Sequence, residues 1–263
     1  MKTLKLTLIA LAALTLGITT SCKKKSSTPE ETTTDPAKGT VTLSLNHQWG
    51  MMNEQDFVLG TDLIHPMHND TLNFSKLKYY ISNVKLKKAD GSYWSHPNSY
   101  FLVDIADTNS TKLLLANVPA GDYTDLEYTL GVDSARNVSG AQTGVLDPSN
   151  TMFWSWNSGY IMLKAEGIYK MNKADSLFTF HLGGFKGANN IITKKTVSFS
   201  GNNLTVKASK TSKVNFIVNP GTLFHTTSVK TIDVIHMPGT AAKSMALDFF
   251  THTYGFMFDS IEE

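Results

Sequence analysis

The amino-acid sequence predicts an all-β fold in the main, an antiparallel β-sandwich of about ten strands with long loops and a short C-terminal helix. Short segments in which apolar residues recur at every second position follow one another along most of the chain, and residues 126–132 are the clearest of them. Turn residues, chiefly Gly, Pro, Asn and Asp, separate these segments. Regular spacing of this kind is typical of β-sandwiches.

The first 21 residues have the layout of a secretory signal. Lys2 and Lys5 precede an apolar run that is too short for a membrane span, and small polar residues then lead to Cys22. Cys22 is the only cysteine in the chain, and its place after Ser21 resembles a bacterial lipobox with a relaxed upstream position. We therefore expect a lipid on Cys22. The alternative is a chance cysteine beside an ordinary cleavage site.

This N-terminus predicts a protein of the cell envelope, lipid-anchored to a membrane, with the outer membrane favoured, and facing the periplasm or the cell surface. Removing residues 1–21 lowers Lys+Arg from 24 to 22 and leaves Asp+Glu at 22, so the mature chain is formally neutral. Neutrality argues against a nucleic-acid partner. With a single cysteine, intrachain disulfides are excluded.

Residues 23–38 contain no large apolar side chain and are rich in Ser, Thr, Pro and charge, which predicts a disordered tether. The expected organisation is a signal peptide over residues 1–21, a tether over residues 22–39 and a single β-rich domain over residues 40–263.

The first strand of the domain is predicted from the alternation of Val41, Leu43 and Leu45, and it ends at His47. His47 either faces a ligand site or is a solvated histidine at the end of a strand. Residues 48–70 read as a long loop.

That loop contains His65, Pro66, Met67 and His68 in succession. Two imidazoles and a thioether are ligands that suit copper. The other interpretation is a plain surface loop, because an ordered metal site also needs supporting hydrogen bonds around its ligands.

The middle of the chain predicts a strand over residues 72–88 with a bulge near Asn83, a hairpin turn at 89–91, and strands at 100–103, 112–116 and 126–132. Residues 133–150 are polar and rich in glycine. We expect them to form a loop over the end of the sheet that carries the two tryptophans described next, where the loop can act as a lid.

Residues 147–184 concentrate aromatic residues, glycines and one histidine. Trp154 and Trp156 lie two apart, so on an extended backbone both indoles project from one face. His181 lies on the face of its strand opposite Phe178 and Phe180, next to a pair of glycines where a backbone can approach closely. The pattern predicts a ligand position at His181.

Further strands are predicted at 160–165, 177–182, 196–200, 204–208 and 214–218. After Pro238, Thr240 is expected to cap a helix in which Met245 and Phe249 belong to an apolar stripe. Five histidines and methionines of the tail raise the alternative of a copper-binding tract, namely His236, Met237, Met245, His252 and Met257. We interpret them instead as ordinary tail and core residues, since methionine commonly fills gaps in cores.

Several strings in this sequence together resemble one family. They are FWSWNSGY beginning at Phe153, the HLG beginning at His181, KLKYYISNVKL at 76–86 and NSYFLVD at 98–104. In combination they resemble the MbnP family of bacterial copper-associated extracytoplasmic proteins, over roughly residues 40–260.

The resemblance implies a copper site built from a histidine and a tryptophan that a partner di-haem peroxidase oxidises to kynurenine. Trp154 and Trp156 match the family's W-x-W, and His181 matches the histidine of its HLG; His47 is a further candidate ligand. A related methanotroph copper protein has W-x-H at the tryptophan pair, so the ligand expected at the second place is replaced here by Trp156.

Three function classes follow. Motifs for nucleophilic, nucleotide-dependent or zincin chemistry are missing from the sequence, so we predict a protein that is not an enzyme. The leading hypothesis is a membrane-anchored copper-binding or copper-handling lipoprotein. The alternatives are a non-catalytic module of the cell envelope that binds a glycan or another ligand through its tryptophans, and a plain core that the tryptophans fill.

Overall fold

The structure is a computed structural model that describes residues 37–140, 142–155, 157–172, 174–199 and 201–263. In these ranges the strands are β1 (Lys38–Trp49), β2 (Gln55–Asp56), β3 (Leu63–Ile64), β4 (Thr71–Lys88), β5 (Tyr93–Ser95), β6 (Tyr100–Asp104), β7 (Lys112–Pro119), β8 (Gly121–Leu130), β9 (Phe153–Ser155), β10 (Gly159–Tyr169), β11 (Ser176–Gly183), β12 (Thr193–Ser198), β13 (Leu204–Val206), β14 (Thr211–Val218), β15 (Val234–Ile235) and β16 (Phe256–Glu262). The helices are α1 (Ser134–Asn137) and α2 (Thr240–Thr251), and short 3-10 turns lie at Gly144–Leu146, Pro148–Asn150, Gly187–Asn189 and Pro220–Phe224. The protein is mainly β, as predicted.

The smaller sheet is organised around β1. Its order is β16-β14-β1-β2, and β7 also pairs with β1. The pairing of β1 with β14 is parallel and runs from Thr40 opposite Thr211 to His47 opposite Val218. The apolar side of β1 is buried, which confirms the strand predicted from its alternation.

The larger sheet is organised around β4, which is 18 residues long. The order is β12-β8-β4-β10-β11-β15, with the shorter strands paired alongside. Asn83 has a φ of 53°, and the register with β8 shifts between Ser82 and Lys85, so the predicted bulge in this strand is confirmed. On the far side of β10, β11 pairs antiparallel with β10 and parallel with β15.

The main core lies between the two sheets. Tyr128 of β8 and Phe216 of β14 make an edge-to-face contact across it, with ring centroids 6.1 Å apart. Helix α2 covers the same core, because its apolar stripe, which includes Met245 and Phe249, is buried as predicted. Within the described ranges, no helix is long and apolar enough to cross a membrane.

Three details differ from the sequence-based expectation. The described ranges contain sixteen strands rather than about ten, because bridges of two or three residues such as β2 and β15 leave no alternation to detect. Two pairs, β1 with β14 and β11 with β15, are parallel rather than antiparallel. Gly239 rather than Thr240 is the N-cap of α2, and the Thr240 side chain makes no cap bond, so the predicted cap is wrong.

A second apolar cluster, here called the outer cluster, lies on the other face of the larger sheet. It consists of Tyr80, Val132, Leu146, Met152, Tyr160 and Ile161, with Trp154 packed at its edge. Tyr79 belongs to the main core, and adjacent residues of a strand point to opposite faces, which places Tyr80 outside.

The 133–150 segment closes over the outer cluster. The Tyr80 hydroxyl donates to the Val145 carbonyl oxygen at 2.9 Å, and the Tyr160 hydroxyl donates to that of Leu146 at 2.7 Å. The segment therefore lies where the sequence predicted it, over the part of the sheet that carries Trp154.

Candidate metal centre

Strand β11 places His181 on the outer face of the larger sheet. Phe178, Phe180 and Leu182 are buried on the inner face, whereas His181 is half-buried between them on the other side. The face predicted for the imidazole from the period-two pattern is thus confirmed.

A carboxylate on β10 fixes the orientation of the His181 ring. Nε2 of His181 lies 2.8 Å from Oε1 of Glu166, and Lys76 Nζ donates to Oε2 of Glu166 at 2.7 Å. An ionised carboxylate only accepts hydrogen bonds, so Nε2 carries the hydrogen and Nδ1 keeps its lone pair. Metal-binding histidines are commonly oriented by a carboxylate in this way.

The electrostatics favour this protonation state. Burial raises the pKa of Glu166, but the hydrogen bonds from Lys76 and His181 outweigh burial, so the pKa is lowered and the carboxylate stays ionised. Burial lowers the pKa of His181 more than Glu166 raises it. The ring is therefore a neutral imidazole near neutral pH, which is the form that binds metals.

Strand β15 brings a second histidine beside the first. Val234 and Ile235 pair in parallel with Thr179 and Phe180, so His236 follows at the level of His181. The two imidazole centroids are 5.2 Å apart and the ring planes are inclined by 70°. His236 is exposed. A pair of imidazoles is a donor set that copper accepts.

Trp154 lies on the same face, over Gly183. A Cβ placed on Gly183 would be 2.5 Å from Cζ3 of the indole, so the indole rests directly on the strand only because residue 183 is glycine. Residues two apart on a strand share a face, and Gly183 therefore puts Trp154 on the side of His181. The indole is half-buried at the edge of the outer cluster.

A buried lysine accompanies this group. Lys164, which lies opposite His181 in the pairing of β10 with β11, is 5% exposed, and its Nζ donates to the Thr151 carbonyl oxygen. Burial lowers the pKa of Lys164 more than the charge of Glu166 raises it.

His47 is not brought to this group. It lies on β1 of the smaller sheet, and its Nε2 is 2.9 Å from the Tyr79 hydroxyl. Burial lowers the pKa of His47 to about 4, against the opposing effect of a backbone hydrogen bond at Leu45. The ring is therefore neutral, and it is hydrogen-bonded both to the Tyr79 hydroxyl and to the backbone at Leu45. Tyr79 belongs to the main core rather than the outer face.

His65 and His68 tie their segment to the protein rather than to a group on the outer face. Nε2 of His65 donates to the Gly221 carbonyl oxygen at 3.1 Å, and Nε2 of His68 donates to that of Phe224 at 2.8 Å. Nδ1 of His65 accepts the His68 amide at 3.3 Å, so both nitrogens of that ring are used. His65 is buried, whereas a histidine in a free surface loop would be exposed to solvent.

Two predicted positions, Cys22 and Trp156, lie outside the described residues, so the lipid on Cys22 and the part of Trp156 in the site stay predictions. In the ranges that the structure describes, no three His, Cys, Asp or Glu residues are grouped so that they could hold a metal ion. A metal bound by His181 and His236 would therefore need a donor of another kind.

His236 is the member of this group whose role the sequence analysis did not predict, since the copper-binding alternative for the tail was set aside. Its neighbour Met237 marks the segment as a source of soft ligands, but the pairing of β15 with β11 joins segments far apart in the chain. Two-residue strands carry no periodicity, so their partners leave no local signal.

Comparisons with known proteins identify one family. A family model described as MbnP matches residues 38–238. The solved structure of MbnP from Methylosinus trichosporium is similar at 17% sequence identity with a TM-score of 0.47, over 72% of this chain and 78% of that one. A search of curated proteins gave no match. The matched residues include His181, His236, Glu166 and Trp154.

Proposed function

The chain belongs to the MbnP family, and from that premise we propose that it is a lipid-anchored copper-binding or copper-handling protein of the cell envelope. The family is associated with copper. The observation that carries the proposal is the pair His181 and His236, 5.2 Å apart, with one ring oriented by Glu166. The proposed role is binding rather than catalysis.

The donor set of the group fits copper. Nδ1 of His181 keeps a lone pair, and no hydrogen bond holds the His236 ring among the residues that the structure describes. Met237, 70% exposed, follows with a thioether. Imidazole and thioether are ligands that copper accepts in either oxidation state, whereas Ca²⁺ and Mg²⁺ require oxygen ligands.

We propose Trp154 as the source of a further donor, through oxidation to kynurenine. Cleavage of the C2–C3 double bond of the indole adds two oxygen atoms and gives N-formylkynurenine; hydrolysis then releases formate and leaves an aromatic amine and a ketone. The oxidant is hydrogen peroxide, and a di-haem peroxidase of the kind paired with the family reduces two molecules of it to water for each tryptophan oxidised. Both new groups can bind a metal; the amine can also donate a hydrogen bond to one of its ligands, and the ketone oxygen can accept one.

The position of Trp154 supports this choice. Its indole is half-buried at the rim of the outer cluster, whereas Trp49 is fully buried in the main core. Electron transfer to a partner protein becomes slower with distance, so a rim indole is the accessible one. Trp49 is therefore an internal control for the modification.

The experiment compares protein isolated from its native host with protein made without the peroxidase. Peptide mass spectrometry should find the loss of one carbon and the gain of one oxygen at Trp154 in native protein only, with Trp49 unchanged in both. Metal analysis should find copper in the native protein. Replacing His181 by Gln should remove that copper while circular dichroism stays unchanged.

Each outcome bears on a different part of the proposal. Native protein that holds copper with Trp154 and Trp156 unmodified would discard kynurenine and leave histidine and methionine as ligands. Native protein without metal that binds a glycan would favour the ligand-binding alternative. Copper retained by the His181→Gln variant would remove that residue from the site.

The lipid anchor is tested separately. Metabolic labelling with palmitate should mark the parent protein and leave Cys22→Ser unlabelled. Label retained by the serine variant would contradict acylation at this cysteine.

A further inference from the structure

A second group of histidines and methionines lines a cavity that shares no residue with the candidate metal centre. The cavity has a volume of about 210 Å³. Its walls come from four segments, namely the loop after β1, residues 65–67, the Pro220–Phe224 turn with the residue after it, and the residues after α2. Met51, Met67, His225 and His252 all line it.

His225 and His252 are close neighbours in this cavity. Their ring centroids are 4.3 Å apart and the planes are inclined by 54°. His225 ends the 3-10 turn and His252 ends α2, so both rings are carried by the ends of regular elements. Two imidazoles at this separation, from segments far apart in the chain, converge on one small volume.

Both rings can supply a nitrogen. Among the described residues no hydrogen bond holds the side chain of His225. Nδ1 of His252 accepts only the Tyr254 amide, at 3.2 Å on the exposed side. A metal bond to this nitrogen would replace a long, exposed hydrogen bond, and the Tyr254 amide would then donate to a solvent water molecule instead.

Three other polar side chains of the wall, those of Asn219, Thr222 and His65, are already hydrogen-bonded. Asn219 donates to the Gly50 carbonyl oxygen at 2.7 Å, and the Thr222 hydroxyl donates to the Asn219 carbonyl oxygen at 2.9 Å. His65 is bound through both of its ring nitrogens. These bonds fix the walls and leave the His225 and His252 imidazoles, the two thioethers and the Tyr254 hydroxyl, of which the imidazoles and thioethers are the ligands that suit a soft ion.

Met51 and Met67 complete the donor set at the mouth of the cavity. They are 55% and 53% exposed, so neither thioether is committed to the core. The described residues that line the cavity include no Asp or Glu, which leaves hard cations without the oxygen ligands they require. Thioethers select soft ions, and Cu(I) is the soft first-row ion that takes imidazole and thioether together.

We propose that this cavity is a second metal site, which binds monovalent copper through His225 and His252 together with the thioether of Met51 or Met67. The site is independent of the modification of Trp154 and of the ligands on the outer face. It would hold Cu(I) in protein that has never met the peroxidase.

The test is an anaerobic titration with Cu(I) against bathocuproine disulfonate, using protein expressed from its complete sequence without the peroxidase. Four variants are compared with the parent, namely His225→Gln with His252→Gln, Met51→Leu with Met67→Leu, His181→Gln with His236→Gln, and Met52→Leu. Met52 is the matched control, because it is exposed beside Met51 and does not line the cavity.

The histidine pair variant should lose one equivalent of bound Cu(I), and the methionine pair variant should bind that equivalent at least about tenfold more weakly. The Met52→Leu variant and the His181→Gln/His236→Gln variant should keep it. X-ray absorption of the loaded parent should show sulfur in the copper shell, and the methionine pair variant should lose it.

Undiminished Cu(I) binding by the histidine pair variant would overturn the inference, as would preference of the site for Zn²⁺. Should the histidine pair variant fail to fold, the methionine variant decides, because its substitutions are at half-exposed positions; unchanged affinity and an unchanged absorption spectrum would then overturn the site. Loss of the equivalent only in the His181→Gln/His236→Gln variant would remove this site and leave the proposed function intact.

Discussion

Nε2 of His181 donates to Oε1 of Glu166 at 2.8 Å, and this bond decides which nitrogen of the ring is free to bind. The carboxylate is itself paired with Lys76 at 2.7 Å. Glu166 therefore acts through His181, as an orienting group for a ligand rather than as a ligand.

Replacing Glu166 by Gln keeps the shape of the side chain and removes its charge. We expect the copper affinity of the outer-face site to fall by about 10- to 100-fold, because an uncharged amide is a weaker acceptor and can also present its NH2 group, so it no longer fixes the tautomer of the ring. Competition titration measures the change. Glu127→Gln is the control, since that carboxylate accepts a hydrogen bond from the Tyr93 hydroxyl on the exposed surface. Equal affinity in the Glu166→Gln variant and the parent would contradict the assigned role.

Replacing Gly183 by Ser should displace the Trp154 indole. The new Cβ would lie 2.5 Å from the indole and 2.6 Å from the Tyr160 carbonyl oxygen, so we expect a loss of about 1–3 kcal/mol in the free energy of unfolding. A shift in tryptophan fluorescence should accompany the loss. Gly239→Ser is the control, because that glycine has extended backbone and a Cβ added to it would have no atom within 4 Å. Equal stability of the two variants would mean that the indole does not rest on residue 183.

Replacing Asp70 by Asn should lower the free energy of unfolding by about 1–3 kcal/mol at neutral pH. The carboxylate is 2% exposed, lies 2.7 Å from Lys230 Nζ, and accepts the Ser228 hydroxyl at 2.6 Å. Urea denaturation of the variant and the parent measures the difference.

The pH dependence of that difference has a defined sign. Burial raises the pKa of Asp70, but Lys230 and Ser228 outweigh it, so the folded pKa is below the ordinary 3.8. The stabilisation is fully present above 3.8 and is lost as the pH falls through the lower folded pKa. In strong acid, the free energy of unfolding of the parent should therefore approach that of the Asp70→Asn variant. A difference that grows on acidification would contradict this account.

The parent should also lose stability as the pH falls from 6.5 toward 4, because of His47. Its folded pKa of about 4 is below the unfolded value of 6.5, so the unfolded state takes up the proton first. The loss amounts to up to about 3 kcal/mol over that window. His47→Gln should flatten the profile, and Asn46→Gln, at the exposed neighbouring position, should leave it unchanged. If stability fell equally steeply with pH in all three proteins, His47 would not be the group whose protonation destabilises the fold.

The sequence allowed the face of His181 to be predicted, because a strand alternates with a fixed period and the buried Phe178 and Phe180 mark the inner side. The bulge at Asn83 could be predicted for the same reason, since an inserted residue shifts the phase of that alternation. The alternation of a strand appears directly in the order of apolar and polar residues along the chain, so it can be recognised without a structure.

The rest depends on contacts between distant segments. His236 reaches His181 through a two-residue parallel pairing, and His225 reaches His252 where a 3-10 turn meets the end of a helix. Neither approach leaves a trace in spacing or periodicity. His65 is similar: its sequence neighbours suggest a loop, but its ring is buried because it donates to the carbonyl oxygen of Gly221, a residue far along the chain.

The parallel pairing of β1 with β14 sets the order in which the protein can be completed. Thr40 pairs with Thr211, so the partner strand of β1 becomes available only after most of the chain has been synthesised. Closing so long a loop is slow, and until then β1 offers an open edge with a row of apolar side chains. The larger sheet can begin earlier, because β4 and β8 are nearer in the chain. The incomplete smaller sheet is therefore exposed to aggregation for longer than the size of the protein alone would require, and a chaperone that holds unfolded chains would protect that edge until β14 pairs with it.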